Sequence, residues 1–337
     1  MGKNITITLF GESHGKGVGA LLTGMPPHIP VDDAAIECAL ARRRPGDDYD
    51  TARKEPDPWD ILSGTYKGKT TGDPIAIWIP NIDVKSEDYD NMPYRPGHGD
   101  YTAHVKSFGA DDPRGGGYRS GRLTAPLVVA GAIANTLLER QNIHIASKIT
   151  EIGGETEPMK QEKALEQAKK QGDSLGGIVH ITVTGAPVGM GGVRETSAQS
   201  TLAHAIYAVG AVKSVAFGAG ADAARLKGSQ NNDPYIEEKG KIKTTSNHAG
   251  GILSGITTGE PIEITVAVKP TPSIKKTQHT VDRQGNNTAL EITGRHDTAV
   301  IRRIPVVLES AVALTLLDLW CERQKEIALN EKIGEKP

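Results

Sequence analysis

Four glycine-bearing clusters in this 337-residue chain set histidine, arginine, serine or aspartate beside backbone that a ligand can approach closely. The first is Gly11-Glu12-Ser13-His14-Gly15-Lys16-Gly17, where an imidazole in a loop can protonate or orient a leaving group near neutral pH. In the second, Arg95-Pro96-Gly97-His98-Gly99-Asp100-Tyr101, proline and glycine fix a turn around His98, and Asp100 either holds its tautomer or closes an Asx-turn. The third, Arg114-Gly115-Gly116-Gly117-Tyr118-Arg119-Ser120-Gly121-Arg122, opens a long apolar run. Ser120 can cap that helix, its first N–H groups are open to an anion, and the arginines can grip phosphate or carboxylate bidentately. In the fourth, Gly294-Arg295-His296-Asp297 with Arg302 and Arg303 behind it, a carboxylate beside imidazole and guanidinium acts as a base or satisfies a salt bridge. Between them, Ser246-Asn247-His248-Ala249-Gly250-Gly251 and Lys269-Pro270-Thr271-Pro272-Ser273 join hydrogen-bonding groups to little bulk and could line a planar cofactor.

Other patterns weigh less. Gly218-Ala219-Gly220-Ala221-Asp222-Ala223 fits a G-x-G-x-x-A dinucleotide loop after a strand-like Val212–Phe217, with Glu237 and Glu238 downstream. Its following run ends at Lys227-Gly228, which is too short a helix for a βαβ unit. The ten histidines lack H-x-x-x-H or H-E-x-x-H spacing, and Cys38 and Cys321 stand alone, which argues for reduced thiols and against a metal centre. A nucleophilic Ser13–His14 pair is disfavoured because adjacent side chains diverge on a strand.

These residues need elements to carry them. Strand-like runs fall near Ile5–Phe10, Val18–Leu22, Ile75–Ile79, Ile143–Ile149, Ile178–Val183 and Ile262–Val268. Helical patterns cover Asp33–Arg43, Gly121–Arg140, Gln161–Lys170, Ser197–Val209 and Val306–Glu326. The mixture predicts an α+β fold. Asp32 caps the first helix and Pro45-Gly46 ends it, so its last turn projects Arg42, Arg43 and Arg44, which either complement the helix's negative end or serve an anion site. Ile61-Leu62-Ser63-Gly64 followed by Thr70-Thr71-Gly72-Asp73-Pro74-Ile75 is echoed by Ile252-Leu253-Ser254-Gly255 followed by Thr257-Thr258-Gly259-Glu260-Pro261-Ile262. The echo predicts two related halves. No linker separates them, and the 160–172 region reads as an exposed charged helix, so one domain over 1–337 is expected.

The 39 basic and 41 acidic side chains nearly cancel to −2, which leaves no global field for nucleic acid or an anionic membrane; any anion binding is local. Met1–Phe10 lacks a signal-peptide core, and Leu123–Leu138 falls short of a bilayer span and reads as a buried helix. A loose myristoylation match at Gly2 and Thr6 is outweighed by the strand alternation of Ile5–Thr8.

In order from about Phe10 to Asp318, the chain resembles the chorismate synthase family. The resemblance rests on Gly11–Gly15, Arg42-Arg43-Arg44-Pro45-Gly46, Arg95-Pro96-Gly97-His98, the triple-glycine loop ending in Ser120-Gly121-Arg122, Gly228-Ser229-Gln230, Ser246–Gly251, Lys269-Pro270-Thr271 and Gly294–Asp297. It implies a single-domain β-α-β sandwich and a carbon–oxygen lyase that eliminates phosphate from 5-enolpyruvylshikimate 3-phosphate. It also implies reduced FMN without net redox change, NADPH acting indirectly through a separate flavin reductase, a homotetramer and a cytoplasmic location, with no nucleic-acid or membrane partner. By the same resemblance, His14 protonates the departing phosphate, His98 protonates the reduced flavin, and Asp297 assists deprotonation through flavin N5. Ser13, Arg43, Arg44, Arg122 and Arg303 are the implied substrate anchors. Flavin contacts are implied at Tyr118, Arg119, Ser120, Gly210, Ala211, Ser254, Lys269, Pro270, Thr271, Pro272, Ser273 and Arg295. The chain departs from the family at Asp47-Asp48-Tyr49, where a basic residue tied to an NADPH contact is usual, at Leu123 for glutamate, and at Thr298-Ala299 for Pro-Cys.

Overall fold

Alternation along the β-branched runs decides the layers. In the computed structural model, which describes residues 2–46, 56–82, 92–292 and 297–334, strands β1 (Thr6–Gly11), β2 (Gly17–Thr23), β3 (Asp60–Ser63) and β6 (Ile75–Pro80) form one sheet in the order β1-β2-β6-β3. The ribbon β4 (Thr65–Tyr66) and β5 (Lys69–Thr70) lies between β3 and β6 in sequence. A second sheet joins β7 (His144–Ile152), β8 (Gly177–Thr184), β9 (Val212–Phe217) and β14 (Ile262–Val268) in the order β7-β8-β14-β9. Every pairing in both sheets is antiparallel. Smaller ribbons are β10 (Tyr235–Glu238) with β11 (Lys241–Thr244), β12 (Ile252–Leu253) with β13 (Ile256–Thr257), and β15 (Gln278–Val281) with β16 (Asn287–Leu290).

One face of each sheet is fully covered. Val18, Ala20, Leu22, Ile75, Ile77 and Ile79 on the first, and Val179, Ile181, Val183, Ile262, Ile264 and Val266 on the second, are completely buried. Each of these valine, leucine and isoleucine side chains contributes roughly 1.5–3 kcal/mol on burial. Helices α3 (Thr124–Arg140) and α7 (Pro305–Lys332) pack on each other between the sheets, flanked by α1 (Asp33–Arg43) and α5 (Ala198–Tyr207). Because α3 is covered on most sides it reads as apolar all round. The stretch Arg114–Arg140 is long and apolar enough by composition to cross a membrane, but 67% of its apolar window is buried inside the protein. At the α3–α7 crossing a Cβ on Gly131 would lie 2.3 Å from the Ser310 Cβ, so only glycine permits this approach. The short α2 (Asp100–Lys106), the charged α4 (Pro158–Lys170) and the one-turn α6 (Gly228–Asn231) lie outside this layer. Cys38 and Cys321 are free thiols.

The two sheets share one topology: in each, the fourth strand in sequence inserts between the second and third. The second part of each echo, 70–75 and 257–262, leads into the inserted strand, β6 or β14, whereas the first parts differ: Ile61–Ser63 lies in β3 of the sheet and Ile252–Leu253 in the ribbon strand β12. The hydrogen bonds of the second parts match as well. The Thr70 hydroxyl donates to Pro26 O at 2.6 Å and accepts from Ile29 N at 3.0 Å; the Thr257 hydroxyl donates to Pro187 O at 2.6 Å and accepts from Met190 N at 2.9 Å. The expected relation between halves is therefore present in the structure. The G-x-G-x-x-A stretch does not open a βαβ unit: β9 is antiparallel to β14 and leads into the short 3₁₀ turn Gly220–Arg225.

Candidate active site

A cavity of ≈ 1720 Å³ opens where strand β1 and helices α3, α5 and α7 meet the glycine loops, and its wall gathers most of the residues singled out from sequence. Arg43, His98, Tyr118, Arg119, Ser120, Arg122, Gly210, Ala211, Lys269, Thr271, Pro272, Ser273, Asp297 and Arg303 all line it. Ser254 and Pro270 are not on the wall; Ser254 sits in the turn between β12 and β13. Arg295 and the aspartates at 47 and 48 lie outside the described residues. The Ser246–Gly251 loop does not line the cavity either: Asp233 ties it down, accepting from Ser246 Oγ at 2.6 Å, His248 N at 2.8 Å and Ala249 N at 2.9 Å.

The first loop sits directly behind the third. Ser13 N donates to Gly117 O at 3.3 Å, and the Ser13 hydroxyl, fully buried, reaches Gly115 O at 3.3 Å and His14 Nδ1 at 3.1 Å. The divergence expected of adjacent side chains fails here because Ser13 and His14 occupy a turn, not a strand. The Ser13 hydroxyl thus holds the His14 ring within the turn while engaged with the loop carbonyls. Gly115 is what separates His14 from the cavity: a Cβ there would lie 2.2 Å from His14 Cε1.

His98 is held from the opposite side. Its Nε2 is 2.9 Å from Ser273 Oγ, and Lys269 Nζ donates to Gly97 O at 2.6 Å, which joins the second loop to the 269–273 segment. Asp100 does not hold the imidazole; it grips Arg95 through two bonds of 2.7 Å. Burial, with the adjacent Arg95, pushes the His98 pKa down to about 4, so the ring is neutral at physiological pH.

The arginines spread from the end of α1 and the start of α3. Asp32 caps α1 by accepting from Ala35 N at 3.1 Å. Ser120 caps the 3₁₀ turn Gly121–Leu123, one turn earlier than the α-helix it was expected to cap. Arg42 leaves the site for a bidentate pair with Glu309, and Arg44 turns to Glu37 at 3.2 Å. Arg43 and Arg122 converge on Asp57, which is fully buried. Arg122 also donates to Asn81 Oδ1 at 3.0 Å, and Asn81 Nδ2 donates to Glu12 O at 2.8 Å and Gly15 O at 3.0 Å. Arg303 donates to Arg43 O at 3.2 Å and pairs with Asp297. A continuous polar chain thus links the His14 loop through Asn81, Arg122, Asp57, Arg43 and Arg303 to Asp297. Asp57 and Asn81 were absent from the residues read from sequence. The signal for Asp57 was an acidic residue locked between Pro56 and Pro58; nothing local marks Asn81.

The cavity exceeds the roughly 300–1,000 Å³ that suits one small ligand, so it can hold a cofactor and a substrate together. The Thr271 hydroxyl on its wall is buried without a hydrogen-bond partner among the described residues, an orphan that a bound polar group would satisfy.

Comparison with known proteins places the chain by overall sequence and fold. A family model described as chorismate synthase matches residues 5–321. The chain is 42% identical to the chorismate synthase of Thermococcus kodakarensis, over 96% of this chain and 98% of the relative. It is 43% identical to that of Nitratidesulfovibrio vulgaris, over 95% of each. Among solved structures, a crystal structure of chorismate synthase superposes with a TM-score of 0.75 at 27% identity, covering 96% of this chain and 93% of that one.

Proposed function

The chain belongs to the chorismate synthase family, and on that premise we propose how its residues carry the family's reaction, the 1,4-elimination of phosphate from 5-enolpyruvylshikimate 3-phosphate to give chorismate. The elimination breaks one C–H bond and one C–O bond, and releases a proton and phosphate. It therefore calls for anion holders, an acid beside the leaving group and a proton acceptor. The observation that carries the reading is the convergence of Arg43, Arg122, Arg303, His98 and Asp297 on one cavity, with His14 immediately behind Gly115.

Arg43, Arg122 and Arg303 bind and orient the phosphate and two carboxylates, and they explain how a nearly neutral chain takes a polyanion. Arg44 supports them from the side. His14, oriented by Ser13, delivers the proton to the departing phosphate. Asp297, oriented by Arg303, receives the proton lost from carbon. His98 holds its ring neutral with Nε2 toward Ser273, and takes up a proton when an anion lies against it.

The family works with reduced flavin, and FMN is the form we assign. Tyr118, Arg119, Ser120, Gly210, Ala211, Lys269, Thr271, Pro272 and Ser273 would hold it, with the Thr271 hydroxyl supplying an unmet hydrogen bond. The chemistry these residues would gain from bound reduced flavin is reversible electron donation that would weaken the C–O bond without net redox change. NADPH then serves only to reduce flavin, and a separate reductase is the source. A cytoplasmic homotetramer built from one domain per chain completes the reading. One contiguous core spanning both sheets supports the single domain, and exposed Phe10, Leu21 and Leu62 on the first sheet offer apolar surface for assembly.

The test is strictly anaerobic incubation with 5-enolpyruvylshikimate 3-phosphate and FMN. Equimolar chorismate and phosphate are expected with reduced FMN and none with oxidised FMN. Product formed with oxidised FMN, or flavin oxidised in proportion to product, would overturn the proposal.

A further inference from the structure

The arginine cluster depends on a residue that none of the motifs contains. Asp57 is fully buried, and its backbone lies at φ 49° between Pro56 and Pro58. A following proline drives a residue toward extended backbone, and the left-handed region costs a non-glycine residue of order 1 kcal/mol. Such a conformation persists only where surrounding structure holds it, and such strain gathers at functional sites. Here the carboxylate splits its oxygens: Oδ1 takes Arg122 Nη1, while Oδ2 takes Arg43 Nη1 at 2.9 Å and lies 3.7 Å from Arg44 Nε.

The side chains of Arg43 and Arg122 are only 10% and 4% exposed, so two cations would otherwise sit side by side with little water to screen them. Neutral acceptors fix the rest of each guanidinium. Arg122 Nε reaches Asn81 Oδ1 at 3.0 Å and Nη2 reaches Pro80 O at 3.1 Å; Arg43 Nε reaches Thr124 Oγ1 at 2.9 Å and Nη2 reaches Gly121 O at 3.4 Å. The Asp57 carboxylate is shared among the three arginines and sets the planes of the two that line the cavity.

We propose that Asp57 is the positioning residue that fixes Arg43 and Arg122 as a preorganised receptor for the anionic groups of the substrate. The inference rests on the function proposed above. Its logic is that binding need not then order two long side chains, a cost otherwise taken from affinity. Asp57 touches neither bond being broken, so it acts on substrate capture more than on the chemical step.

The experiment compares wild type, Asp57→Asn, Asp57→Glu, Arg122→Lys and the Asp57→Asn/Arg122→Lys double variant in anaerobic turnover with reduced FMN, alongside thermal unfolding and FMN binding. Asp57→Asn is expected to raise KM for 5-enolpyruvylshikimate 3-phosphate about 30-fold, with kcat and FMN affinity within about threefold of wild type. The double variant should be no more than about threefold worse than the poorer single variant, since both changes disable one unit. Asp57→Glu keeps the charge but displaces it by a methylene, and a folded protein should still show KM raised about fivefold or more. A folded Asp57→Asn or Asp57→Glu with wild-type KM overturns the proposal, as does multiplication of the single effects in the double variant. A wild type that makes no chorismate would instead sink the proposed function, so the two failures separate.

Discussion

Gly115→Ala is the sharpest probe of the His14 assignment. Its Cβ would fall 2.2 Å from His14 Cε1, 2.4 Å from Nδ1 and 2.9 Å from Ser13 Oγ, where ordinary contact begins at 3.4 Å. The imidazole must therefore withdraw by about 1 Å, and a displacement of that size costs a reacting group about 100-fold in rate. Gly115 also lies at φ +57°, so alanine adds about 1 kcal/mol of backbone strain. Gly116 supplies the control next door: it lies at φ +85°, yet a Cβ there meets nothing within 4 Å. Both variants carry the backbone strain, and Gly115→Ala adds the clash, so both unfolding midpoints should fall and that of Gly115→Ala further. Only Gly115→Ala should lose about 100-fold in kcat, measured as anaerobic chorismate formation at saturating substrate and reduced FMN. Equal kcat for the two variants would refute His14 as the group behind that wall, because strain alone would then account for the loss.

Three further outcomes are expected. Because burial and Arg95 lower the His98 pKa to about 4 from 6.5, the unfolded chain binds more protons between those values. Stability contributed by the neutral ring is full above pH 6.5 and falls by up to about 3 kcal/mol as pH drops toward 4. Urea midpoints of cofactor-free protein across that window should show a slope that His98→Gln reduces, and identical slopes would contradict the assignment. Thr70→Val and Thr257→Val each orphan a carbonyl and an amide at equivalent places, so each should cost about 1–3 kcal/mol by thermal unfolding; a large loss in one and none in the other would argue against equivalent roles. Ser273→Ala removes the partner of His98 Nε2 and should lower kcat about fivefold to tenfold with FMN affinity changed less than threefold; an unchanged kcat counts against that contact.

The layers were legible because burial writes a period into sequence. Ile262–Val268 alternates cleanly since one face meets the core, and its predicted bounds match β14. Asp33–Arg43 was legible for a different reason, a side-chain cap at one end and Pro45-Gly46 at the other. β3 and the two-residue ribbons were not predicted as separate elements, because Asp60–Ser63 at a sheet edge buries too little for its alternation to show. The start of α3 was misplaced by one turn: Ser120 does cap, but Gly121–Leu123 closes as a 3₁₀ turn before the α-helix begins, and propensity does not separate those two hydrogen-bond patterns.

The site was legible only as far as chemistry announces itself in residue type. Glycine beside histidine or arginine marks a loop built for close approach, and this sufficed for His98, Arg122 and the 269–273 segment, all of which reach the cavity. It could not show which arginines face inward. Arg42 and Arg43 are consecutive on α1 and diverge by about 100°, while Arg44 is its extended C-cap, so the acidic partners around them decide which faces inward. Glu309 draws Arg42 away, Glu37 draws Arg44, and Asp57 retains Arg43. Buried guanidiniums call for a buried anion, and the left-handed backbone at Asp57 marks where it is held. An acidic residue confined between two prolines, as in Pro56-Asp57-Pro58, is the local mark that such a counter-ion leaves in sequence.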